Sequence, residues 1–343
     1  FSCLTKERVI VFVIFYFLVM TFLSPADLCL LGATCHYWRR MVRDPLLWRF
    51  FLLRDLPFWN SIDHLSMPQL ELLHAPLIDE KQSLDDREEG GDTEPKVDYM
   101  AEWVTFWYIN ENKLKSPYKV VTSFLQSLVV SAEPRYAMFG PGMEQLDMSF
   151  VMRLMHSPDV LPVSGSGPPR RQIDGIGSGI SYMFNNQHSF NILTLYSTNR
   201  AERERARTQH QNVDNKLFTV EVDNSGVTTY SPTPHVQRVC QVVDGFIYVA
   251  NAERDHAENE PAQIQALLSS SWGSTSRPML VLSCPGVNAT TNRVPCVYMA
   301  KRLELTTLDN PWMVQDVVVE SLSGLLDGIS WLLRCSGVKL HNR

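Results

Sequence analysis

The 343-residue sequence is 45% apolar and 20% charged, an ordinary globular composition with room for one large domain and a smaller one. A formal net charge of −6 excludes the clustered basic surface on which non-specific nucleic-acid binding rests. Seven cysteines, at 3, 29, 35, 240, 284, 296 and 335, form no CxxC pair and no zinc spacing, so reduced, mostly buried thiols in a cytoplasmic or nuclear protein are expected.

The chain opens on Val9 to Leu23, "VIVFVIFYFLVMTFL", a run without a charge that follows Lys6, Glu7 and Arg8. It is shorter than the roughly 20 residues of a spanning helix. A membrane-anchored signalling protein is a third reading that rests on this run alone; the expectation is against a membrane role, and residues 1–20 read as an aberrant or truncated N-terminus.

A small helical module is expected over 21–60. Ser24, Pro25 and Asp27 read as N-cap, first helical residue and capping acid. Leu28 and Leu31 share one helix face. Asp44–Pro45 opens a further helix carrying the apolar stripe Leu47, Trp48, Phe51 and Leu52. So short a segment cannot bury this many large apolar groups internally, so some should face a partner. "FLSPADLCLLGATCHYWRRMVRDPLLWR" resembles the F-box, in the order L-x-P-x-D-L, a small-residue segment, W-R and D-P-x-L-W. That resemblance implies docking on the Skp-type adaptor of a cullin-based ubiquitin ligase, with Leu23, Pro25, Leu28, Leu31, Trp38, Pro45, Leu47 and Trp48 as adaptor-binding residues. The Leu-Pro opening usual in the first F-box helix is replaced by the apolar run.

Residues 61–133 read as a helical linker. "SMPQLELLHA", "DYMAEWVTFWYI" and "YKVVTSFLQSLVVSA" (118–132) are its helical patterns, with Met100, Val104 and Trp107 at helical spacing. Between them Asp79 to Asp98 holds nine acids and three bases, −9 + 3 = −6, and so carries the whole formal excess. It is too polar to offset its ordering entropy and reads as a disordered stretch.

From 134 to 335, strands "RYAMF", "FNILTLYS", "DGFIYVA" and "PMLVLSC" alternate with helical stretches such as "RAERERARTQHQNVDNKLF", leaving 336–343 as a tail. Near-continuous apolar strands in a βαβ pattern predict a parallel sheet covered on both faces. The expected fold class is therefore α+β multidomain, an all-α module and helical linker followed by an α/β domain. "RYAMFGPGMEQLD" has the strand–Gly-loop–helix layout of a phosphate-binding loop. A working loop needs G-x-x-x-x-G-K-[ST]; counted from Gly140 the last three positions hold Gln145, Leu146 and Asp147. "DGIG" (Asp174 to Gly177) has D-x-x-G spacing but precedes "FNILTLYS" instead of following it. No nucleotide, metal or other cofactor is expected. Ser178 lacks a hydrolase frame and no nucleophile–base pair stands out, so no enzyme active site is expected either.

The order of strands resembles the small GTPases, and "WMVQDVVVESLSGLLDGISWLL" resembles the end of ADP-ribosylation-factor-type members through Trp312, Gln315, Gly324, Leu325, Gly328 and Trp331. Together, "HYW", "VRDPLLWRFFLLRDLP", "AMFGPG", "RQIDGIGSG" and "VCQVVDGFIYVANAE" resemble F-box substrate receptors with an atypical GTPase-like domain. That implies a non-catalytic substrate-recognition subunit of an SCF ubiquitin ligase, partnered by adaptor and cullin scaffold. Its substrates would include telomeric-repeat-binding factor and D-type cyclins; a homodimer is left open. The alternative is a divergent small GTPase, or pseudo-GTPase scaffold, with a helical N-terminal extension. "VPCVYMAKRLEL" (294–305) reads as an extra edge strand with Cys296, Tyr298 and Ala300 alternating onto one face. An edge strand can recruit a partner strand, and the resemblance supports Cys296 and Ala300 as substrate-facing. Ala300→Arg is then expected to abolish substrate binding alone.

Overall fold

In the computed structural model the described residues are 15–75, 97–111, 133–143, 150–164, 171–173, 177–196, 216–222, 226, 228–253, 259–269, 276–285 and 293–340. They divide into two compact units, one within Phe1–Phe58 and Ser66–Lys113, the other within Trp59–Leu65 and Leu114–Arg343.

The first unit is helical. Residues 15–21 form a helical turn, followed by α1 (Pro25–Thr34), α2 (His36–Val42), α3 (Pro45–Asp55), α4 (Leu70–His74) and α5 (Tyr99–Glu111). The starts follow from the sequence: Ser24 Oγ accepts from the Asp27 amide at 3.1 Å, and Asp44 Oδ1 accepts from the Leu46 amide at 2.8 Å. Met20, Leu28, Val42, Leu47, Trp48 and Phe51 form the core, with Tyr99, Met100 and Trp103 of α5 packed against it. The linker helix thus closes the small core. Of its expected stripe, Met100 packs inward while Val104 and Trp107 are exposed. Gly32 lets α1 and α2 approach, since a Cβ there would lie 2.6 Å from Val42 Cγ2.

The second unit is built on an eight-stranded sheet. Its strands are β1 (Ser61–Asp63), β2 (Arg135–Phe139), β3 (Arg171–Ile173), β4 (Gly177–Phe184), β5 (His188–Leu195), β8 (Gly245–Asn251), β9 (Met279–Cys284) and β10 (Trp312–Asp316). The order across it is β1-β10-β9-β8-β2-β5-β4-β3. From β10 to β5 neighbours run parallel; β1 and the β4–β3 pair are antiparallel. A separate hairpin joins β6 (Phe218–Val222) to β7 (Thr228–Pro232). The unit's helices are α6 (Phe150–Met155), α7 (Pro234–Val242), α8 (Glu260–Leu268), α9 (Cys296–Arg302) and α10 (Leu325–Cys335). The winding reverses at β2, whose neighbours are β5 on one side and β8 on the other, as in doubly wound sheets. Strands β8 and β9 are buried at every position, which is why they read as unbroken apolar runs.

Two expectations change. The linker is not helical from its start, because residues 61–63 form β1, registered Ser61↔Gln315 through Asp63↔Met313 on the outer side of β10. The residues 294–305 do not form an edge strand: Cys296–Arg302 is helix α9, and the edge beyond β10 is taken by β1. The expectations for 79–96, for the helix at 118–132, for Gln145, Leu146 and Asp147, and for most of "RAERERARTQHQNVDNKLF" lie outside the described residues.

Candidate functional site

Helix α3 explains how a short module meets both a core and a partner. Leu47, Trp48, Phe51 and Leu52 are buried, and the Trp48 indole N–H donates to the Val42 carbonyl. Leu46, Phe50 and Leu53 are exposed at i, i+4 and i+7 on another side of the same helix. Leu30 on α1 and Tyr37 on α2 are exposed as well. A helix apolar on both sides has one side left over once its core is filled. Arg54, over the Phe51 ring at 4.5 Å and paired with Asp55, borders this surface with charge.

The eight expected adaptor residues therefore separate into two sets. Pro25, Leu28, Leu47 and Trp48 are buried within the unit and have no surface to offer; they make the scaffold. Leu23, Leu31 and Trp38 are half-buried against the core and Pro45 is exposed. The sequence reading missed Leu30, Tyr37, Leu46, Phe50 and Leu53. The signal was present in "PLLWRFFLL", where nine residues include one charge and no polar face.

The expected substrate residues move further. On α9, Cys296, Val297, Met299 and Ala300 are buried, and Tyr298 is half-buried. The apolar period is that of a helix, and Pro295 as N-cap starts it. At its end Arg302 donates to the Asn251 carbonyl at 3.1 Å and pairs with Glu260 at 3.4 Å, both side chains about nine-tenths buried. Burial first, then the neighbouring Glu260, holds the Tyr248 hydroxyl well above its usual pKa. This buried polar knot joins α9 to β8 and α8, so opening the helix would strand its charges. Burial likewise pushes the Cys296 thiol up to about 12. Cys296 and Ala300 offer no surface to a partner strand.

The glycines of the loop after β2 also have a packing reason. Gly140 has φ 127°, and a Cβ there would lie 2.5 Å from the Val249 carbonyl oxygen. A Cβ on Gly142 would come 2.8 Å from the Ala250 oxygen. Residues Pro141–Met143 form a single 3-10 turn against β8, with Gly142 and Met143 buried. The loop backbone lies on the strand, which is what its glycines permit. The same holds at the end of the chain. Gln315 Nε2 donates to the carbonyls of Asn60 and Asp316, each at 3.1 Å. Gly324 (φ 87°) starts α10 where a Cβ would fall 2.1 Å from the Asp316 oxygen, and Gly328 lets α10 approach Leu280. Asp316, buried at the end of β10, pairs with Arg293.

A family model described as F-box-like matches residues 15–54, so the match begins inside the apolar run. F-box only protein 4 of Mus musculus and that of Bos taurus are each 49% identical to this chain over 323 residues, covering 92% of it and 80% of theirs. The Homo sapiens protein of the same name is 48% identical over the same shares. Among solved structures, the small GTPase Arl6 BBS3 of Trypanosoma brucei aligns at a TM-score of 0.36 and 13% identity, over 60% of this chain and 98% of its own. With 48–49% identity over 92% of its length, the chain belongs to the F-box only protein 4 family.

Proposed function

We propose that the protein is the substrate-recognition subunit of an SCF-type ubiquitin ligase. Its F-box unit docks on a Skp-type adaptor held by the cullin scaffold, and its sheet domain presents protein substrates. It supplies position and no catalytic group. One observation carries this reading: the F-box unit completes its core with one side of α3 and leaves Leu46, Phe50 and Leu53 exposed on another. Exposed apolar stripes on small soluble modules mark interaction sites. Telomeric-repeat-binding factor and D-type cyclins are the proposed substrates, marked for proteasomal degradation in cytoplasm and nucleus. The sheet domain serves as a GTPase-like fold used for shape, its loop glycines being accounted for by packing on β8.

Capture of purified adaptor by the full chain tests this. Leu46→Glu and Phe50→Glu should each weaken capture roughly 30-fold, the scale of a truncated interface anchor, without changing the melting of the chain. Undiminished capture by both variants would refute docking through α3. If the parent chain captures no adaptor and releases nucleotide on denaturation, detected by ultraviolet absorbance, the GTPase reading takes its place.

A further inference from the structure

At five places in the chain a serine or threonine is followed directly by proline: Ser24, Ser116, Ser157, Ser231 and Thr233. Ser116 lies outside the described residues, and the fold separates the other four. Ser24 has Pro25 buried behind it, and its hydroxyl donates to Asp27 Oδ2 at 2.6 Å. Ser157 is itself buried. Ser231 stands within β7, with Pro232 buried beside it. Thr233 differs from all three: it is half-buried, and Pro234 and His235 after it are exposed. Its backbone is extended, φ −62° and ψ 157°, as a residue before proline is held. Its hydroxyl reaches the Lys216 carbonyl at 3.5 Å, beyond the roughly 2.5–3.0 Å of an ordinary hydroxyl hydrogen bond.

We infer that Thr233 is a phosphorylation site for a proline-directed protein kinase. Such an enzyme needs an extended hydroxyl residue with an uncovered proline after it, and proline brings no N–H that the enzyme's pocket would have to satisfy. The γ-phosphoryl group of ATP passes to Thr233 Oγ1. The Oγ1–P bond forms, the bond to the ADP oxygen breaks, and the hydroxyl proton goes to the kinase's general base. The product carries about −1.5 to −2 charge at neutral pH. Helix α7, which Thr233 precedes, contains no acid, and its exposed His235 and Arg238 approach each other to 3.4 Å. The new charge therefore meets bases, and no carboxylate, on that helix. The site lies in the second unit and uses none of Leu46, Phe50 and Leu53, so it stands or falls separately from adaptor docking.

The test is incubation of the folded full chain with Mg-ATP and a purified mitogen-activated protein kinase, a proline-directed enzyme, with the modified residues read by peptide mass mapping. The peptide of residues 228–238, "TTYSPTPHVQR", is the unfolded reference. Thr233 in the chain should be modified within about thirtyfold of its rate in the peptide, since a site reached only by opening the fold is slowed further. Ser157 should stay unmodified in the folded chain. Pro234→Ala should slow incorporation at Thr233 by at least roughly tenfold, the worth of one pocket contact, and Ser231→Ala should leave it unchanged. No phosphate at Thr233 in chain or peptide would overturn the inference, as would a rate in the chain more than about thirtyfold below the peptide's. Equal incorporation at Ser157 and Thr233 would show that exposure does not choose the site, and would overturn it too. Should Pro234→Ala change the far-ultraviolet signal of the chain, the peptide with the same substitution decides, and unchanged incorporation there refutes the inference.

Discussion

Replacing Trp48 with alanine separates a core residue from a contact residue. The side chain is wholly buried, its ring centroid 5.9 Å from that of Phe51 and 5.7 Å from that of Trp103, and its N–H satisfies the Val42 carbonyl. Truncating a buried aromatic of this size costs about 3–5 kcal/mol, a large share of the roughly 5–15 kcal/mol of a whole domain. Trp48→Phe keeps an aromatic ring at the site but loses the hydrogen bond to the Val42 carbonyl, for about 1–3 kcal/mol. Trp38, half-buried at the surface, should cost about 1 kcal/mol when truncated. The assay is amide hydrogen exchange of α1 to α3 in the full chain, read by mass spectrometry, because it reports the first unit alone. Trp48→Ala should accelerate exchange roughly a thousandfold, Trp38→Ala about fivefold. Parent-like exchange in Trp48→Ala together with lost adaptor capture would refute the reasoning, because Trp48 would then be a contact and not a core side chain.

Ala300→Arg should lower the melting temperature of the sheet domain, because a cation would replace a methyl in the buried face of α9; circular dichroism against the parent checks it, and an unchanged melt would restore the surface reading. Gly324→Ala should destabilise by about 1–3 kcal/mol, being strained at φ 87° and crowding the Asp316 carbonyl, measured as a shift in urea midpoint. Among the described cysteines, iodoacetamide at neutral pH should modify Cys35 first, whose thiol pKa is lowered by the Trp38 amide, and leave Cys240, Cys284 and Cys296 until unfolding; mass mapping of the adducts shows the order. Burial pushes the Cys296 thiol up to about 12 in the folded chain. Unfolded thiols ionise near their ordinary value, so stability is intact below that value and declines as pH rises toward about 12. A urea midpoint that rises between about pH 8 and about pH 10 would contradict this sign.

The sequence by itself determined the elements whose signal is local. Ser24–Pro25 and Asp44–Pro45 start helices because a cap side chain and a proline ring act on their own turn. Strands β2, β8 and β9 were legible because burial on both faces leaves apolar runs with nothing to alternate against, and β5 because its buried positions alternate with half-buried ones. What needed the tertiary structure was non-local. Strand β1 is three residues long and exists because the β10 edge is there to pair with it. Helix α9 resembles a strand over a few residues; only the packing of Cys296, Val297, Met299 and Ala300 on one buried side fixes its period. The partition of the F-box residues was hidden for the same reason. Leu46 and Leu47 are identical in chemistry and adjacent in sequence, and which one meets the core depends on where α1, α2 and α5 lie around α3. Composition told that apolar surface would be left over; geometry decided which surface it was.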